Sequence, residues 1–144
     1  MKNPPSDHHS KARFTLHIDV SLKDIDDLGH VNNVVYVQWV QYVASAHWNT
    51  LSTAEIRAQH LWVALRHEID YLSPAFLGDE ITAHTWVNTV EGVRSIRQVE
   101  FFRHEKCLAR AITQWCLLDS KTLKPKRIGP ELRSVLLGSE IRPI

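Results

Sequence analysis

Asp24-Ile25-Asp26-Asp27-Leu28-Gly29-His30-Val31-Asn32-Asn33-Val34-Val35-Tyr36 sets acids, a glycine, a histidine and two asparagines between a strand-like segment and a helix-like one. Residues of these types close turns and cap helices. They also build reaction sites: Asp26 is a candidate base or nucleophile, and Gly29 permits a tight backbone. The N–H groups that open a helix can receive a developing negative charge.

Upstream, residues 14–23 alternate strictly. Phe14, Leu16, Ile18, Val20 and Leu22 fall on one side and Thr15, His17, Asp19, Ser21 and Lys23 on the other, which predicts a half-buried strand. Downstream, residues 32–48 lack Gly and Pro, and their apolar side chains (Val34, Val35, Val37, Trp39, Val40, Val43, Ala44, Ala46) spread around most of a helical wheel. A helix apolar nearly all round is expected to be buried. A strand of that length would be about three times the usual one.

Residues 51–60 predict a polar connection with a helical turn or two, capped by Ser52 or Thr53. Strands are then expected over 61–71, 80–90, 95–104 and 106–118. Pro74, Gly78-Asp79 and Glu91-Gly92 punctuate them, and Gly129-Pro130 opens a last short helix. The order is strand, long helix, four strands, with no βα alternation and no repeat, so the fold class is α+β with an antiparallel sheet. One helix covers one face of five strands. Trp62, Trp86, Trp115, Phe101 and Phe102 therefore include side chains expected to need another surface, and oligomerisation is expected.

Composition narrows the function. The chain has 144 residues, 44% hydrophobic and 23% charged, and a net charge of +1, the profile of an ordinary globular domain. That charge gives no field for nucleic acid, and no basic run is interleaved with aromatics. No apolar run approaches the roughly 20 residues of a membrane span. The first 13 residues are polar and lack a signal-peptide core, so a cytoplasmic location is expected, with residues 1–12 as a flexible arm and 13–144 as one domain. Cys107 and Cys116 lie nine positions apart on one strand, roughly 30 Å at about 3.3 Å per residue and on opposite faces. They cannot bridge each other, which fits a reducing compartment. Nine histidines show no ligand spacing on one element, so no metal is expected.

Three motifs in order carry a family resemblance. Asp24-x-Asp26-x-x-Gly29-His30-Val31-Asn32-Asn33-x-x-Tyr36 is followed by Ile69-Asp70-Tyr71-x-x-Pro74-Ala75-x-x-Gly78-Asp79. Then come Ala109-x-x-x-Thr113-x-Trp115-x-x-x-Asp119 and Lys124-Pro125-x-Arg127-Ile128. Together they resemble the hotdog-fold acyl thioesterases over residues 13–135. The likeness is to the 4-hydroxybenzoyl-CoA thioesterase group and, in His-Val-Asn-Asn-x-x-Tyr, to the plant acyl-ACP thioesterases. Leu28 and Pro74 stand where the acyl-ACP branch has asparagine and glutamate. Asp27-Leu28 stands where the 4-hydroxybenzoyl-CoA group has Pro-Ala, so the substrate is not carried over.

The resemblance implies a long buried helix wrapped by a curved five-stranded antiparallel sheet. It also implies a homodimer or homotetramer with sites at the subunit interface, and hydrolysis of acyl-CoA or acyl-ACP without a cofactor. By position, the family's catalytic carboxylate is Asp26 and the N–H that polarises the thioester carbonyl is that of Asn33. His30 is expected either to orient Asp26 or a water, or simply to satisfy a neighbouring carbonyl. Asn32 holds the carbonyl or caps the helix, and Tyr36, Arg94 and Ser95 lie along the substrate. Asp24 and Asp27 are expected to be turn residues. The chemistry agrees: thioester hydrolysis needs a carboxylate beside the carbonyl and donors aimed at the oxyanion. Arg94, Arg97, Arg103, Lys124, Lys126 and Arg127 are candidate contacts for coenzyme A, of which one or two are expected to serve, a solvated face explaining the other charges. The rival functions are a hotdog hydratase acting on the β-carbon and a non-catalytic acyl-thioester-binding protein.

Overall fold

A computed structural model describes residues 13–138; the predicted arm at 1–12 lies outside them. The elements are β1 (Phe14–Asp19), α1 (Asn33–Leu51), α2 (Ala54–Gln59), β2 (His60–Tyr71), β3 (Glu80–Glu91), β4 (Arg94–Arg103), β5 (Lys106–Asp119) and α3 (Pro130–Leu137). The five strands form one antiparallel sheet in the order β1-β3-β4-β5-β2. Strand β2 joins at the far edge after the long helix has crossed the sheet. This is the α+β hotdog plan.

Alternation places the core. In β4, Ser95, Arg97, Val99 and Phe101 point inward and are buried, while Ile96, Gln98 and Glu100 between them are half-buried on the outer face. Inward residues of α1 meet them: Val40, Val43, Tyr36 and Trp39 pack with Val31, Ile81, Ala83, Phe101, Leu108 and Ala111. A second cluster of Val87, Val90, Leu117, Ile128 and Leu136 lies under α3 and touches Trp48 and Trp62. Trp86 and Phe101 are buried within the chain. Trp62, Trp115 and Phe102 are half-buried.

Two expectations change. The first strand stops at Asp19 and not at residue 23, because the Asp24 carboxylate accepts from the Ser21 N–H (3.0 Å) and hydroxyl (3.2 Å). That closes a 3₁₀ turn over Leu22–Asp24 and leaves Leu22 exposed. A short polar side chain competes here with the ladder for a backbone donor. Second, α1 is not buried all round. Its buried stripe is Tyr36, Trp39, Val40, Val43, Ala44 and His47, whereas Val34 and Tyr42 face solvent. The strands of one chain reach one side of the helix, and Val34 and Tyr42 on the other side stay open.

At the helix starts, Thr53 and not Ser52 is the cap of α2, and Asn32 takes the capping alternative at α1. Thr53 accepts from Ile56 N–H, and Pro130 stands in the first turn of α3.

Candidate active site

Asp26 sits at the base of a three-residue hairpin that the sequence did not single out. Ile25 and Val31 face each other as an antiparallel bridge. Asp26 N–H donates to the His30 carbonyl (3.0 Å), and Gly29 N–H donates to the Asp26 carbonyl (3.0 Å). Closing so tight a loop requires a left-handed residue at its last position, and Gly29 supplies it at φ +87°. The hairpin is pinned from outside: Val31 N–H donates to the Ala75 carbonyl and Asn32 N–H to the Asp24 carbonyl, each at 2.9 Å.

The second motif frames the first. Arg103 Nη1 donates to the Pro74 carbonyl (3.1 Å) and to the Asp79 carboxylate (2.7 Å). Asp79 also accepts from Phe76 N–H (2.9 Å). The loop that offers the Ala75 carbonyl is therefore held by a charge-assisted clamp. This explains in physical terms why the Pro-Ala…Gly-Asp segment belongs with the Asp26 segment.

Within the hairpin, Asp26 Oδ1 accepts from Leu28 N–H (2.9 Å), and Oδ2 has no partner among the described residues. The His30 ring lies with Nδ1 4.0 Å from Asp26 Oδ1, too long for a hydrogen bond. It meets the Val31 carbonyl at 3.2 Å, which the tautomer protonated at Nδ1 can serve as donor. Asn32 Oδ1 accepts from Val34 N–H (3.0 Å), and Val35 N–H donates to the Asn32 carbonyl (2.9 Å). Asn33 N–H, at the start of a 19-residue helix, meets no acceptor among the described residues. Tyr71 hydroxyl steadies that turn by donating to the Asn33 carbonyl (3.0 Å).

The hairpin thus carries Asp26 and His30, and the start of α1 that follows it carries Asn32 and Asn33. Tyr36 lies one turn further, 3% exposed in the core between Trp39, Tyr71 and Phe101. Its hydroxyl is buried without a partner among the described residues, and burial pushes it up to about 12. Arg94 and Ser95 lie elsewhere, at the start of β4. The helix rise of about 1.5 Å per residue puts Ala44 roughly 16 Å along α1 from Asn33, and Ser95 shares a cavity with Ala44.

That cavity, about 280 Å³, lies between the second half of α1 and the sheet. Trp48, Trp62 and Trp115 wall it, and Ser95, Arg97 and His60 bring polar atoms to it. Arg97 was expected on a solvated face but is 5% exposed, since its place between Ser95 and Val99 in the pleat turns it inward. Its Nη1 donates to His47 Nδ1 (2.9 Å) and to the Thr85 hydroxyl (3.0 Å), and the Thr85 hydroxyl in turn donates to the Gln98 carbonyl (2.8 Å). Burial lowers Arg97 to about 10, and burial with the neighbouring Arg97 charge drives His47 down to about 3. His47 is therefore neutral, stacked on Phe14 at 5.2 Å. Of the other cationic candidates, Arg103 pairs with Asp79 and Lys126 with Asp119.

Among solved structures, the chain is similar to a 1,4-dihydroxy-2-naphthoyl-CoA thioesterase from Synechocystis. The two share 20% identity over 87% of this chain and 96% of that one, with a TM-score of 0.75. YbaW, a probable thioesterase from Escherichia coli, shares 24% over 85% and 95%, with a TM-score of 0.73. A thioesterase from Thermus thermophilus, complexed with coenzyme A and Zn, shares 22% over 85% and 90%, with a TM-score of 0.75. A comparison with curated protein sequences returned no match. The family model of the thioesterase-like superfamily spans residues 20–136, from the end of β1 through the Asp26 hairpin and all later strands to α3, and the chain belongs to that superfamily, as a thioester hydrolase of the hotdog fold.

Proposed function

We propose that the chain hydrolyses an acyl-CoA thioester to a free acid and coenzyme A, with Asp26 as the working carboxylate and the Asn33 N–H as carbonyl donor. The observation that carries this reading is that the Asp26 hairpin runs directly into α1, and that Asp26 Oδ2 and the Asn33 N–H are both left without partners among the described residues while every neighbouring backbone donor from Val31 to Val35 is used. A carboxylate oxygen held by a backbone turn, beside the positive end of a long helix, is what a thioester carbonyl needs.

In the water route, Asp26 takes a proton as the water oxygen bonds to the carbonyl carbon. The oxyanion forms against Asn33 N–H, and its collapse breaks the C–S bond and releases the thiolate. In the covalent route, Asp26 displaces the thiolate directly, and water then opens the resulting anhydride. The thiolate is a good leaving group in both, so no strong general acid is required. His30, anchored to a carbonyl, acts by shaping the hairpin and orienting water. Coenzyme A is the favoured carrier because the Thermus relative is described in complex with it; acyl-ACP is the variant. We also place the working protein as a homodimer or larger assembly, because the free edge of β2 exposes Leu61, Val63 and Leu65.

The test is thiol release from a panel of acyl-CoAs by the native chain and by Asp26→Asn. Asparagine retains an oxygen for Leu28 N–H, so the turn survives, and kcat is expected to fall at least about 10²-fold. Comparable turnover by both proteins removes Asp26 from catalysis. Hydration of crotonyl-CoA without thiol release moves the chain to the hydratases, and tight binding without turnover makes it a binding protein.

A further inference from the structure

Arg97 is a buried cation with no acid beside it. Among the described residues it forms no ion pair, and the ring it touches, His47, is neutral. Removing an ion from water is costly unless a counter-charge or a full set of acceptors replaces the water. Only Nη1 is satisfied here, by His47 and Thr85. That leaves Nε and Nη2, whose N–H bonds run parallel along one edge of the guanidinium, the edge that receives a planar carboxylate through two hydrogen bonds.

The surroundings point the same way. Arg97 lines the cavity, and two further polar atoms of its wall, Trp115 Nε1 and His60 Nδ1, are buried with no partner among the described residues. The Ser95 hydroxyl, also in the wall and buried, makes no hydrogen bond among the described residues. An indole N–H can only donate, so an acceptor is what this cavity lacks. Ser45 and a second guanidinium, that of Arg57, whose Nη1 already donates to the Asn49 and Ser52 carbonyls, complete its polar part, and the rest of the wall is aromatic and aliphatic. Its volume, about 280 Å³, is at the lower end of ligand sites, which run upward from about 300 Å³. One ring or a short branched chain fits, and a long fatty tail does not.

We propose that the cavity binds a small organic carboxylate, its carboxyl oxygens on Arg97 Nε and Nη2 with Trp115 Nε1 nearby, and its apolar body between Trp48, Trp62 and Trp115. The same group can arrive as a free acid or as the far end of a dicarboxylic acyl thioester; the second source rests on the thioester-hydrolase reading above. Carboxylate binding itself does not.

Calorimetric titration of the full-length protein with benzoate, cyclohexanecarboxylate, benzamide and inorganic phosphate tests it. Saturable binding of at least one acid is expected, at least tenfold tighter than the neutral amide and not displaced by phosphate. Arg97→Gln is expected to weaken that binding at least tenfold, and Trp115→Phe, which removes one donor and keeps the ring, severalfold. Thermal melts check that both variants fold, while the acid-to-amide comparison on the native chain needs no variant. No acid binding, equal binding of benzoate and benzamide, displacement by phosphate, or full affinity in a folded Arg97→Gln each overturns the proposal.

A second arm separates the sources. If Arg97→Gln raises KM for adipoyl-CoA and not for hexanoyl-CoA, the carboxylate is part of the substrate. If acid binding is Arg97-dependent and neither KM moves, the free acid is the ligand. Acid binding without thiol release from any thioester would sink the hydrolase reading and leave this site standing.

Discussion

At the residue scale, Tyr36 tests whether burial or substrate contact governs a motif position. Its hydroxyl is buried without a hydrogen bond, an arrangement that costs about 1–3 kcal/mol, and replacing it with an isosteric apolar ring removes the penalty. Tyr36→Phe is expected to raise Tm by a few degrees, about 1 kcal/mol, with kcat/KM within a factor of about two. A KM rise instead would place Tyr36 among the substrate contacts that the family resemblance implies. His47 makes a second residue-scale prediction. Its folded value, about 3, lies below the ordinary 6.5, so as pH falls the unfolded chain takes up a proton that the folded chain refuses. The stability this neutral ring contributes is full above pH 6.5 and is lost down towards pH 3. Between pH 6.5 and 4.5 the loss from this residue is about 2 kcal/mol. His47→Gln, which keeps an acceptor for Arg97, is expected to flatten the urea stability profile by that amount; an unchanged slope would mean that His47 is not the titrating group.

At the scale of elements, α1 links the cap to the chemistry. Asn32 Oδ1 satisfies Val34 N–H, so Asn32→Ala is expected to cost about 1 kcal/mol in urea unfolding. Asn32→Asp restores the cap and suits the helix dipole, yet it sets a negative charge beside the place proposed for the oxyanion. Its expected signature is native-like stability with kcat reduced roughly tenfold; equal kcat in Asn32→Asp and the native chain would separate Asn33 N–H from the oxyanion. The elements themselves were largely legible in the sequence. Strict alternation located β2 to β5 to within a residue or two, and the absence of Gly and Pro over 32–48 marked α1. What was not legible depends on contacts distant in the chain. The hairpin under Asp26 is fixed by the Ala75 carbonyl and the Asp24 carbonyl, and no local pattern announces either. The end of β1 at Asp19 reflects the Asp24 side chain winning Ser21 from the ladder, against an apolar alternation that ran on to Leu22. Arg97 was legible in one sense, because Ser95, Arg97, Val99 and Phe101 share one face by period two. Its charge argued for solvent, and the pleat prevailed.

At the scale of the molecule, the proposed working carboxylate and the cavity lie at different places along one chain. The Asp26 hairpin stands at the first turn of α1 and the cavity at its second half, roughly 16 Å apart. The exposed apolar side chains of Leu61, Val63 and Leu65 lie on β2, the sheet edge that borders the cavity through His60, Leu61 and Trp62. An isologous two-fold across that edge would pair β2 with its copy antiparallel, extend the sheet, and set the two α1 helices in opposite directions. The first turn of one helix would then lie level with the second half of the other, bringing each hairpin towards the partner's cavity. A lysine in the centre of the edge opposes such pairing by placing two like charges across the axis, and it remains solvated in the lone chain. Val63→Lys is therefore expected to halve the mass measured by sedimentation, to keep the circular dichroism of the native fold, and to lower thiol release at least tenfold by separating hairpin from cavity. A native chain that sediments as a monomer, or a Val63→Lys monomer that retains full activity, would show that each chain completes its site alone.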